Sequence, residues 1–149
     1  MLSAKNNSVT VMTGHLEGQP VVSESDMQRL RECVRLPTVS SAERAFLDAV
    51  EATALFVDSA EMPSDVVTMN TTVECTTSDG TDTHEWTLVY PREADYQRGR
   101  LSVLSPTGIA LLGARCGQVI MCHPPSGVPV HYVIEKILLQ PESRRLSGR

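Results

Sequence analysis

The chain has 149 residues, 41% hydrophobic and 21% charged, with a formal net charge of −5, a size that gives one domain or two small ones with a real core. No apolar run approaches the roughly 20 residues of a membrane span and the first residues lack a signal-peptide core, so a cytoplasmic protein without membrane contact is expected. Residues 1–65 hold ten Asp/Glu against five Lys/Arg, whereas residues 66–149 hold eight of each; this argues against a basic face for direct nucleic-acid binding and allows docking onto a basic surface of another macromolecule.

In chain order, residues 1–22 show no sustained period and read as a tail, with a short extended piece at SVTVM. SESDMQRLRECVR predicts a helix capped by Ser23, with Met27, Leu30 and Val34 as its apolar stripe, ending before Pro37. SSAERAFLDAVEATALFV predicts a second helix, with Ser40 and Glu43 as a capping box and Phe46, Ala49, Val50 and Thr53 at helical spacing. The short connection makes an antiparallel hairpin with a tip at Arg35, Leu36, Pro37, Thr38, Val39, Ser40 and Ser41. Its first arm, at 1.5 Å per residue, is about 20 Å long. Periodicity leaves two arrangements open: a projecting finger, or a hairpin packed on the rest of the chain as half of one core.

After Pro63 the texture changes to β-branched and aromatic residues. VVTMNTTVECTT and HEWTLVY flank a turn at Asp79–Gly80, RLSVL and QVIMCH follow, and VHYVIEKILL closes a sheet of roughly five strands after a turn at Pro124–Gly127. Between the third and fourth strands, Ser105 is placed as an N-cap, Pro106 as the first helical residue and Gly113 as the stop of a short helix. The basic end, residues 143–149, reads as a solvated tail.

Cys33, Cys75, Cys116 and Cys122 form no CxxC pair, so reduced thiols are expected rather than a disulfide framework. Cys122 and His123 are strand neighbours facing opposite ways, which argues against a metal set with Cys116. No cofactor motif or nucleophile motif is present, and no metal, cofactor or intrinsic catalysis is expected.

The run PREADYQRGRLSVLSPTGIALLGARCGQVIMCHPPSG resembles the carboxy-terminal domain of the bacterial Gre transcript-cleavage factors. With EMPSDVVTMNTTV, TLVYP and LQPE, the chain over residues 21–142 is similar to the family called regulator of nucleoside diphosphate kinase. The resemblance implies an α+β protein: a short antiparallel two-helix coiled coil (23–60), then an FKBP-like antiparallel sheet domain with one short helix (61–142). It implies RNA polymerase as partner, with Leu104, Ser105 and Pro106 matching the polymerase-contacting strand end of Gre factors. In those factors an acidic pair at the coiled-coil tip helps hold a catalytic Mg²⁺; here the tip RLPTVSS carries no carboxylate. The expectation is therefore a non-enzymatic regulator that binds polymerase near the secondary channel and competes with Gre factors. Leu104 stands where Gre members can have an acid, and is either an exposed apolar anchor or core.

Two alternatives accompany it. A peptidyl-prolyl isomerase would need a ring-lined pocket built from Trp86, Tyr90, Tyr96 and Tyr132. Control of nucleoside diphosphate kinase, by direct contact or through gene expression, follows from the family name.

Overall fold

A computed structural model describes residues 14–15, 19–122 and 127–143. The expected extended piece at SVTVM, His123 with most of its turn, and the basic tail beyond Ser143 lie outside the described residues.

The order of elements is β1 (Gly14–His15), β2 (Val21–Ser23), α1 (Glu24–Cys33), α2 (Ser41–Thr53), β3 (Leu55–Val57), β4 (Thr72–Thr77), β5 (Thr83–Val89), β6 (Arg100–Ser102), α3 (Pro106–Leu111), β7 (Val119–Cys122) and β8 (Val130–Leu139). The main sheet runs β1-β7-β8-β4-β5-β6, and β2 and β3 form a separate parallel pair. This is the expected α+β class, with the five predicted strands in place.

Three details differ from the sequence reading. The sheet is not wholly antiparallel, because β6 pairs parallel to β5, from Thr87↔Arg100 to Val89↔Ser102; the connection at 90–99, with 3₁₀ turns at Pro91–Glu93 and Tyr96–Arg98, carries the chain back to start β6 in the same sense. The first predicted strand starts late, at Thr72. Before it, Thr68 and Thr71 close a tight turn (Thr71 N–H to Thr68 O, 3.1 Å) and Asn70 adopts a left-handed φ of 66°. The tail also stops short of residue 22, since Val21 and Val22 are buried and pair with Leu55 and Phe56.

Both hairpin helices are capped as predicted. Ser23 Oγ accepts from Asp26 N–H at 3.0 Å, and at α2 Ser40 Oγ accepts from Glu43 N–H while Glu43 Oε1 accepts from Ser40 N–H. Met27, Leu30 and Val34 are buried. On α2 the inward stripe is shifted from the predicted one: Leu47 is fully buried, Phe46 and Val50 are half-buried, and Ala49 and Thr53 are exposed. The helix packs on α3 as well as α1, so the buried line runs along Phe46, Leu47 and Val50.

These side chains belong to the same core cluster as Val73, Cys75, Leu88, Ile120 and Ile134 of the sheet. Of the two arrangements left open by the sequence, the hairpin takes the packed one. Removing Leu30 and Leu47 from water each stabilises this union by about 1.5–3 kcal/mol. Along β4 the burial alternates, Val73 and Cys75 inward and Thr72 and Glu74 outward, as one covered sheet face requires.

The LQPE segment at the end of β8 ties the sheet to the linker after the hairpin. Gln140 Nε2 donates to the carbonyls of Pro63 (2.7 Å) and Val66 (2.9 Å), and Thr68 Oγ1 donates to Glu142 Oε1 at 2.8 Å. Buried polar groups are thereby satisfied at the seam.

Candidate functional site

The two segments singled out by sequence lie in different parts of the fold and have different local jobs. At the end of β6, Ser105 Oγ accepts from Gly108 N–H at 3.0 Å and donates to Ser102 O at 2.7 Å, so one hydroxyl caps α3 and fastens it to the strand. Pro106 occupies the first helical position, where its missing N–H costs nothing. Leu104 is 3% exposed and belongs to the core cluster, which decides between the two roles open to it: its side chain is packing, not an exposed anchor. Ser105, Pro106 and Thr107 are half-buried, and they form the accessible part of this corner.

Two glycines make the corner possible. A Cβ on Gly108 would stand 2.0 Å from Ser102 O, so α3 lies on β6 closer than any side chain would permit. Gly113, at φ 81°, ends the helical segment; its N–H donates to Val67 O (2.8 Å) and its carbonyl accepts from Val21 N–H (3.0 Å).

The hairpin tip is held from within. Arg44, on the first turns of α2, donates through Nε to Val34 O at 2.9 Å and through a terminal nitrogen to Leu36 O at 3.4 Å. Val39 tucks inward at 7% exposure, while Leu36 stands 46% exposed. Behind the tip, Arg31 of α1 bridges to Asp48 (2.9 Å) and Glu51 of α2. The nearest acid to the tip, Glu43, is committed to the capping box. The tip therefore offers backbone, hydroxyl, guanidinium and the apolar side chains of Leu36 and Pro37, and no carboxylate for a hard divalent cation.

A cleft of about 410 Å³ separates α1 from the turn after β5, with Arg29, Cys33 and Leu36 on one side and Tyr90, Pro91 and Arg92 on the other. Burial pushes the Tyr90 hydroxyl up to about 12, with the charge of Asp26 adding to it. Sequence reading missed Arg44, Arg29 and Arg92, because nothing local to an arginine reveals which distant carbonyl or ring it will meet.

The four rings considered for an isomerase pocket do not gather. Trp86 and Tyr132 meet edge to face at 5.1 Å, with His84 stacked on Trp86 at 4.7 Å, whereas Tyr90 lies in the cleft and Tyr96 is exposed. Cys122 is buried and Cys116 is exposed, its thiol against Glu135 O at 3.4 Å. Among the described residues no helix is long and apolar enough to cross a membrane.

The comparisons with known proteins bear on these segments. Residues 62–138 match the family model described as "Transcription elongation factor, GreA/GreB, C-term". The "Regulator of nucleoside diphosphate kinase" of Escherichia coli (strain K12) is 34% identical over 128 residues, spanning 84% of this chain and 94% of that protein. The "Transcription elongation factor GreA" of Prosthecochloris aestuarii is 37% identical over 89 residues, 58% of this chain and 55% of that protein. Among solved structures, a "Prokaryotic transcription elongation factor GreA/GreB from Nitrosomonas europaea" superposes with a TM-score of 0.68 at 33% identity, covering 83% of this chain and all of the other.

Proposed function

This chain belongs to the GreA/GreB transcription elongation factor family, and on that premise we propose that it is a cytoplasmic, non-enzymatic regulator of transcription that binds RNA polymerase near the secondary channel and competes there with Gre cleavage factors without stimulating transcript cleavage. Residues 61–142, read as an FKBP-like module, are the docking unit, with Ser105 and Pro106 at the contact, and Leu104 holding that corner from inside. The hairpin of residues 23–60 presents its tip, Arg35–Ser41, to the channel mouth.

The observation that carries this reading is the chemistry of the tip. Metal-assisted cleavage of a phosphodiester needs oxygen ligands for the cation and a placed water. The tip loop has no carboxylate, and Glu43 is engaged with the Ser40 N–H at 2.8 Å. Occupying a channel, by contrast, requires only shape and contact. The nucleoside diphosphate kinase in the E. coli relative's name enters through gene expression, with no direct contact between this chain and the kinase.

The test is a binding titration to core RNA polymerase with a Gre factor as competitor, read alongside a transcript-cleavage assay. Mutual displacement, with loss of Gre-stimulated cleavage and none stimulated by this chain, is the expected result. Saturating protein that leaves Gre-stimulated cleavage unchanged would overturn the reading.

A further inference from the structure

Among the described residues one buried side-chain oxygen, the hydroxyl of Tyr90, makes no close hydrogen bond within the protein, and Arg29 of α1 is the donor that reaches toward it. Buried hydroxyls in native proteins are nearly always satisfied, so such a group calls for a physical account. Tyr90 lines the cleft of about 410 Å³ between α1 and the turn after β5. That volume lies within the range of small-molecule sites.

The cleft is rich in donors. Arg29 comes from the helix wall and Arg92 from the turn wall, and neither is held in an ion pair among the described residues. Arg29 lies beside the Tyr90 hydroxyl, and the charge of Arg92 acts on the Cys33 thiol more strongly than that of Glu32. Between them lie Cys33, Leu36 and Pro91, an apolar surface for the body of a ligand. Glu32 and Glu93 also line the cleft and are exposed. Their charges bound the ligand's own: one anionic group between two guanidiniums is favoured, whereas a polyanion would also meet both carboxylates.

We propose that this cleft binds a small organic anion, one carboxylate or phosphate on a compact apolar body, whose oxygens accept from Arg29 and Arg92 while the buried Tyr90 hydroxyl steadies Arg29 and the body lies on Cys33, Leu36 and Pro91. Guanidinium groups pair with such oxygens in the strongest class of hydrogen bond, and a ring or short acyl chain is about the size the volume admits. Since the two arginines stand on opposite walls, the ligand bridges the hairpin to the sheet. The site shares Leu36 with the hairpin tip, but binding is read on the free chain, so the outcome of the polymerase titration does not bear on it.

The experiment titrates the full chain with phenyl phosphate, benzoate and benzamidine, read by calorimetry and by the alkylation rates of Cys33 and Cys116 with iodoacetamide. One of the two anions is expected to saturate a single site below about 10 mM, slowing alkylation of Cys33 and leaving Cys116 unchanged. The tighter of the two identifies the anionic group. Arg92→Ala and Arg92→Gln, both at an exposed position, are expected to weaken binding about tenfold with an unaltered melting temperature. Tyr90→Phe weakens it less, and Glu93→Gln strengthens it. Absence of saturation by either anion below about 10 mM, equal binding of benzamidine, or unchanged affinity in both Arg92 variants would overturn the proposal.

Discussion

Gly108 lies so close to Ser102 that a methyl group on its α-carbon would stand 2.0 Å from the Ser102 carbonyl oxygen. The obstacle is backbone, which cannot swing aside, so Gly108→Ala must lift α3 from β6. The expected cost is about 1–3 kcal/mol, as for other overpacked sites, or a fall of roughly 3–10 °C in melting temperature. Calorimetric melting checks it, and an unchanged transition would mean that the helix is not seated on the strand as described.

Arg44 fixes the tip by donating to the carbonyls of Val34 and Leu36. Arg44→Ala should speed amide exchange at Leu36 and Val39 several-fold, at a cost of about 1 kcal/mol in global stability. Arg35→Ala, at an exposed neighbour, should leave exchange unaltered. Exchange that responds equally to both substitutions would remove the special role of Arg44.

The Asp26 carboxyl is held above its ordinary value of 3.8, chiefly by burial; the charge of Glu142 adds to the rise, and hydrogen bonds from Met69 N–H and Ser23 oppose it. The folded state therefore holds this proton more tightly than the unfolded state. Stability falls as pH rises from the unfolded value through the raised folded one, and Asp26 disfavours folding above that window. Asp26→Asn should gain on the parent chain as pH rises from about 3 to 7, measured as the difference in urea midpoint. Parallel midpoint curves would show that the carboxyl is not perturbed.

Thiol chemistry should sort the cysteines by burial. Cys75 is pushed up to about 12 and Cys122 is raised, both mainly by burial, while Cys116 is exposed. Mass-spectrometric alkylation at neutral pH is expected to modify Cys116 first, half-buried Cys33 more slowly, and Cys75 and Cys122 only on unfolding. Early modification of Cys75 would indicate a sheet that opens locally.

Features written within a few residues of one another were legible in the sequence. The Ser40–Glu43 capping box and the Ser105-to-Gly113 punctuation appear as expected because each is a local backbone device. What depended on distant neighbours was not. Leu47 rather than Thr53 became the buried residue of α2 because α3, not only α1, sets its inner face. The pairing of Val22 with Phe56 joins short segments 34 residues apart, neither long enough to show a period. The connection between the helices runs over residues 34–40, Ser41 being already the first residue of α2, and its fixation by Arg44 was not visible. The cleft required Tyr90 to meet a helix more than 50 residues earlier in the chain.

The parallel pair β2–β3 brings the two ends of the helical hairpin side by side, Val21 against Leu55 and Ser23 against Val57. Adjacent strands stand about 4.8 Å apart, so everything from Glu24 to Ala54 is a cassette whose entry and exit share one doorway. Its length is free to vary without disturbing that doorway: seven residues added to each arm would extend it by about 10 Å. The reach of the hairpin is thus an adjustable dimension, set apart from the strands that anchor its two ends.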